Sequence, residues 1–165
     1  MDDPSAPRLG SIAVASKPVP GRRTCLYVED SQADLLLVEQ LIARRNDLIL
    51  FTADTGPTGL KIAQDRHPDI IFLDINLPGA SGLEVLATLR GDPSTAQIPV
   101  TALSSNAYPE QILEGLKSGF FRYLTKPFKI AEFMAVIDDM LLHANRPGAL
   151  HESGMWKHSQ ESAGG

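Results

Sequence analysis

The sequence predicts an α/β domain, with five parallel strands in one open sheet and helices wound over both of its faces. Three observations carry this. Short apolar runs stand at 25–28, 48–53, 70–73, 98–103 and 120–124, each apolar on both alternating faces, as strands buried inside a parallel sheet are. A stretch of helical period follows every run. The two kinds of segment alternate strictly, and right-handed crossovers limit how such a chain can be wound.

The elements follow in order. The first run, 25–28, leads to a helix opened by Ser31, with Asp34 three residues on in a capping-box arrangement. Leu35, Val38, Leu41 and Ile42 form its inner stripe. After the second run, residues 55–66 make a weaker helix, closed by Pro68. After the third, Ser81 and Glu84 cap a helix with Leu83, Leu86 and Leu89 as core candidates. After the fourth, Pro109 suits a first helical turn, Ile112, Leu113 and Leu116 supply the apolar positions, and Gly119 ends it. The last helix has the clearest stripe in the chain: Ile130, Phe133, Met134, Ile137, Met140 and Leu141. Residues 1–23 and 144–165 show no periodic apolar pattern and are expected to be flexible tails around one domain at 24–143.

Composition narrows the function classes. The chain has 165 residues, 43% of them hydrophobic and 21% charged, enough for one domain with a real core. A net charge of −5 argues against non-specific binding to nucleic acid or to an anionic membrane surface. No apolar run approaches the length of a membrane span, and no basic region precedes an apolar block as in a signal peptide. The single cysteine, Cys25, excludes an internal disulfide and reads as a small buried apolar residue. A cytoplasmic protein is the expectation. His67, His143, His151 and His158 show no metal-ligand spacing, and Met155 and Trp156 stand alone in a polar stretch.

In open α/β sheets, ligands bind beyond the carboxyl ends of the strands, where the winding reverses. The polar residues gather there. The first strand runs into Glu29 and Asp30, the third into Asp74, the fourth into Ser104, and the fifth into Thr125, Lys126 and Pro127. With strand order 2-1-3-4-5, Glu29, Asp30 and Asp74 crowd into one pocket. Three carboxylates at such range repel one another, and a hard divalent cation removes the repulsion. Oxygen-only ligands favour Mg²⁺ over zinc or copper, and the carbonyl of Asn76 is placed to add one more oxygen. A magnesium ion beside a carboxylate, a lysine and a hydroxyl suits phosphoryl transfer, in which positioning and charge neutralisation do most of the catalysis. Asp74 is then the nucleophile, while Lys126 and Ser104 take phosphoryl oxygens.

At these residues the chain resembles the receiver domain of two-component response regulators. The matching pieces are Leu-Tyr-Val-Glu-Asp at 26–30, Ile-Ile-Phe-Leu-Asp-Ile-Asn-Leu-Pro-Gly at 70–79, Ala-Leu-Ser at 102–104 and Tyr-Leu-Thr-Lys-Pro-Phe at 123–128. The resemblance implies a flavodoxin-like fold. It makes Asp74 the phosphoacceptor, Asp30 a direct Mg²⁺ ligand, Glu29 the acid that holds metal-bound water, and Ser104 and Lys126 the residues that sense the phosphoryl group. Tyr123 matches the aromatic switch, and the Lys126–Pro127 bond is expected to be cis. Glu29 and Ser104 are familiar variants of the family's commoner Asp and Thr, whereas Phe120, Phe121 and Arg122 replace small and acidic residues.

The wording of the first strand and helix is similar to that of receivers in hybrid sensor histidine kinases; the chain itself carries no kinase domain. The implied donor is a histidine kinase or a histidine phosphotransfer protein. The implied output is a protein partner, or a phosphorylation-dependent dimer, on the face of the fourth helix, fifth strand and fifth helix. Such a domain is a switch that uses a phosphodonor and can lose the group again, not an enzyme with turnover of its own. Two other readings compete. One is an interaction module indifferent to phosphorylation, against which the complete residue set argues. The other is an Mg²⁺-dependent phosphohydrolase, which needs an acid where Asn76 stands.

Overall fold

The computed structural model of the chain describes residues 21–106 and 108–144. The expected tails, with His151, Met155, Trp156 and His158, lie outside the described residues except at their inner ends. There Arg23 already pairs in the sheet and Ala144 closes the last helix.

Ten elements alternate: β1 (Arg23–Val28), α1 (Gln32–Ala43), β2 (Leu48–Ala53), α2 (Gly56–Arg66), β3 (Ile70–Asp74), α3 (Gly82–Gly91), β4 (Val100–Ser104), α4 (Pro109–Ser118), β5 (Arg122–Thr125) and α5 (Ile130–Ala144). The strands form one parallel sheet in the order β2-β1-β3-β4-β5. The chain therefore winds outward from β1 to β2, crosses back over β1 to β3 and continues the other way to β5, leaving a crevice above the carboxyl ends of β1 and β3.

Both sheet faces are buried, which is why the strands read as unbroken apolar runs rather than alternating ones. Leu26, Val28, Ile71, Leu73, Val100 and Ala102 point to one side, among Ile62 and Ala63 of α2 and Val85, Leu86 and Leu89 of α3. Cys25, Tyr27, Ile70, Phe72, Leu103 and Leu124 point to the other, against α1 and α5. There the rings of Tyr27, Phe72, Phe128 and Phe133 form a connected aromatic cluster below the crevice.

Local chemistry sets most of the helix starts. The Ser81 hydroxyl accepts the Glu84 N–H at 3.3 Å while the Glu84 carboxylate accepts the Ser81 N–H at 3.1 Å, a full capping box. Around Ser31 only half of the box forms. Its hydroxyl accepts the Asp34 N–H, but its own N–H donates to Glu29 Oε1 at 3.1 Å. Gly119, at φ 115°, ends α4.

Several expectations need correction. Leu83 is 37% exposed, because α3 buries positions 82, 85, 86 and 89, a stripe that Leu83 misses by one residue. Leu113 and Leu116 are exposed, and Gly115 is the buried residue of α4. Ile130 is also exposed, lying off the Phe133–Val136–Ile137–Met140–Leu141 stripe. β4 starts two residues later than its apolar run, since Pro99 has no N–H to give the ladder. β5 starts at Arg122 because the Phe120 N–H still returns to the Gly115 carbonyl at the end of α4.

Candidate functional site

Strand ends assemble the site. Glu29 and Asp30 leave β1, and Asp74 is the last residue of β3. Because β1 and β3 are paired in register from Cys25 and Ile70 to Val28 and Leu73, their next residues emerge side by side. Carboxylate oxygens of Glu29, Asp30 and Asp74 all lie within 4.8 Å of one another. Glu29 and Asp74 are 1% and 4% exposed, whereas Asp30 faces solvent.

Lys126 reaches in from the turn after β5. Its Nζ donates to Glu29 Oε2, to Asp74 Oδ2 at 2.8 Å and, more loosely, to Asp34 Oδ2 at 3.5 Å. The Lys126–Pro127 peptide bond is cis. Burial works against the charge on Lys126, but its bonds to Asp74 and Glu29 outweigh this and raise its pKa above the ordinary lysine value. Burial pushes Glu29 up to about 7, against the pull of Lys126 and with the Asp74 carboxylate adding to the rise. One ammonium thus faces more negative charge than it can balance.

Asp74 is held by its own turn: the Asn76 N–H donates to its Oδ1 at 2.7 Å. The start of α3 packs directly on this turn. A Cβ added at Gly82 would lie 2.7 Å from the Asp74 carbonyl oxygen and 2.7 Å from Ile75 Cα, so only glycine fits. The Gly82 N–H in turn donates to the Ile75 carbonyl at 2.9 Å.

The remaining predicted residues sit to one side. Ser104 is buried at the end of β4, and its hydroxyl is engaged with the backbone of Asn106, at 3.1 Å to both the carbonyl and the N–H. Tyr123 is half-buried on β5, its ring against Gly115, where a Cβ would meet two ring carbons at 3.1 Å. Asn76, Ser104 and Tyr123 line a cleft of about 190 Å³ between the site and α4. The structure therefore brings Glu29, Asp30, Asp74 and Lys126 together, while Ser104 and Tyr123 line a neighbouring cleft with Asn76, whose N–H bonds Asp74. In the sequence Asp34 shows only the spacing of a capping residue, and nothing but its place one turn into α1 signals its contact with Lys126.

The donor set fits a hard dication: three carboxylates, no nitrogen or sulfur ligand, and a deep carboxyl whose charge burial disfavours. Among the described residues no helix is long and apolar enough to cross a membrane.

Comparison with known proteins agrees with this architecture. The response regulator receiver domain model matches residues 25–138. The response regulator PleD of Caulobacter vibrioides is 38% identical over 120 residues, which is 72% of this chain and 24% of that protein. Histidine kinase P4 of Formosa agariphila is 32% identical over 120 residues, 73% of this chain but 9% of the kinase. The chain thus spans under a quarter of the length of these relatives. Among solved structures, the receiver domain of sensor histidine kinase PA1611 from Pseudomonas aeruginosa is described with magnesium coordinated in its active-site cleft. It superposes with a TM-score of 0.66 at 25% identity, covering 73% of this chain and 98% of that one. With this sheet order and this match over most of its length, the chain belongs to the response regulator receiver domain family of two-component signalling.

Proposed function

We propose that the domain, residues 24–143, accepts a phosphoryl group on Asp74 in an Mg²⁺-dependent reaction, from a phosphohistidine on a histidine kinase or phosphotransfer protein. The observation that carries this reading is the single ammonium of Lys126 shared by Asp74 and Glu29, with Asp30 beside them. A site this rich in negative charge calls for further cations, and Lys126 is already placed to meet a phosphoryl oxygen on Asp74. An Asp74 oxygen attacks phosphorus, the P–N bond to the donor imidazole breaks, and the imidazole keeps the electron pair and takes a proton.

Asp30, Glu29 and Asp74, with the Asn76 carbonyl, are the residues that would hold Mg²⁺. When bound, the ion offsets negative charge on the carboxylates and on the transferred group. The magnesium described in the PA1611 receiver supports this assignment. Ser104 exchanges its bonds to Asn106 for one to a phosphoryl oxygen, which draws on the β4–α4 loop. The cleft beside it then takes the Tyr123 ring, changing the α4–β5–α5 face. A ligand can shift such an equilibrium only by its different affinity for the two conformers, and Ser104 supplies that difference.

The test is labelling by acetyl phosphate with Mg²⁺, read by intact mass or Phos-tag mobility. Wild type should gain one phosphoryl group, lost on adding a chelator before the donor. Asp74→Asn should gain none; equal labelling of that variant would refute the proposal.

A further inference from the structure

The third carboxylate on Lys126 has no place in the reaction above. Asp34 lies on α1, and its Oδ2 is 3.5 Å from Lys126 Nζ, which is itself 2.8 Å from Asp74 Oδ2. Its side chain is 41% exposed, against 1% for Glu29 and 6% for Asp74. Asp34 therefore stands at the solvent side of the buried pair, beside the exposed Asp30.

The local backbone explains why this carboxylate is free to stand there. In a reciprocal capping box it would turn back to the Ser31 N–H, as Glu84 does to Ser81 in α3. Glu29 Oε1 holds the Ser31 N–H instead, and Ser31 caps α1 through the Asp34 backbone alone. The Asp34 side chain is not needed for the cap, so it can be changed without breaking the cap's hydrogen bonds, at the small cost of one first-turn charge.

We propose that Asp34 is a specificity-determining residue: its charge at the solvent side of the site selects against highly charged small phosphodonors and favours small donors of lower charge. The proposal rests on the phosphoacceptor reading of Asp74. A carboxylate joined to the acceptor oxygen through one ammonium, at 3.5 Å on its own side and 2.8 Å on the other, repels a free dianion on its approach in proportion to the donor's charge. It does so most at low ionic strength, because it is solvent-facing and screened by salt. At roughly 6 Å in a water-like medium the effect is about threefold in rate per unit of donor charge. Loss of the Lys126–Asp34 contact also frees part of the Lys126 ammonium, which attracts a dianion more than a monoanion, so both consequences of removing the Asp34 charge move the ratio the same way.

The experiment uses the full chain with saturating Mg²⁺ and two small donors, acetyl phosphate, a dianion near neutral pH, and phosphoramidate, a net monoanion. Initial labelling rates are measured for wild type, Asp34→Asn and Asp34→Glu across a range of salt. The expected result is that Asp34→Asn raises the acetyl phosphate to phosphoramidate rate ratio by about threefold at low ionic strength. The gain shrinks as salt rises, and Asp34→Glu, which keeps the charge, stays near the wild-type ratio. A ratio unchanged in Asp34→Asn, or changed equally in Asp34→Glu, or insensitive to salt, overturns the proposal while leaving Asp74 as acceptor. Absence of Asp74-dependent labelling in wild type overturns both readings, so the two failures are distinct.

Discussion

Glu29 is a carboxylate that the fold removes from water almost completely, with Lys126 as its direct counter-charge. Burial raises its pKa from 4.5 to about 7. In the metal-free protein it therefore holds its proton over a window in which the unfolded chain has lost it, and there the folded state binds more protons. Stability must then fall as pH rises from 4.5 towards 7 and level off above, the reverse of a salt-bridged acid whose pKa is lowered. Urea unfolding of chelator-treated protein at a series of pH values should show this slope, and Glu29→Gln should flatten it. A variant that keeps the full slope would show that another group is responsible. At this scale much of the site was legible, because acids and a lysine placed just past apolar runs need no side-chain geometry to be noticed. Asp34 was not. Its spacing from Ser31 matches a capping box, and nothing in the one-dimensional pattern tells that Glu29 has taken the N–H the box would use.

At the scale of elements, α3 shows how a helix can hold a functional turn in place. Ser81 and Glu84 fix where the helix begins, and Gly82 lets that first turn rest on the backbone of Asp74 and Ile75. Ser81→Ala removes one half of the box and should cost about 1 kcal/mol, read as a lower urea midpoint at unchanged m-value. Gly82→Ala acts differently. Its Cβ would meet backbone atoms rather than a side chain able to turn away, so the helix or the Asp74 turn must move, at a cost of about 1–3 kcal/mol. It should also slow labelling at Asp74 under conditions where the fold is intact, which Ser81→Ala should not. A Gly82→Ala protein with wild-type labelling would mean that α3 yields and the acceptor turn does not. The same helix marks a limit of pattern reading. The stripe through Leu83, Leu86 and Leu89 and the true one through Val85, Leu86 and Leu89 differ by a small rotation, which the correctly read cap does not resolve and packing on the sheet does. In α4 the pattern did locate an apolar face, Leu113 and Leu116, but periodicity cannot say whether anything covers it, and in this chain the face is open.

At the scale of the molecule, the sheet order was legible because five buried runs separated by helices admit few windings, and the reversal beside β1 is what gathers the acids. How Ser104 and Tyr123 are arranged was not, since rotamers and loop bonds depend on packing that no spacing encodes. The same gathering has a thermodynamic consequence. The fold brings carboxylates together from two strands, so their repulsion opposes folding in the metal-free chain and any dication they bind stabilises the native state by mass action. At a Mg²⁺ concentration a hundredfold above its Kd, the gain is about 2.7 kcal/mol, enough to raise the melting temperature by several degrees. Asp30 is the acid with least structural duty, being exposed, so Asp30→Asn should melt near the wild-type temperature in chelator. It should lose most of the rise that Mg²⁺ gives, because one of the three converging oxygens no longer carries a charge. Glu29→Gln separates the two effects: it should melt higher than wild type without metal, since a buried charge is gone, and gain less with it. If Mg²⁺ raised the melting temperature of Asp30→Asn as much as that of wild type, the ion would be binding elsewhere, and the crevice above β1 and β3 would not be the metal site.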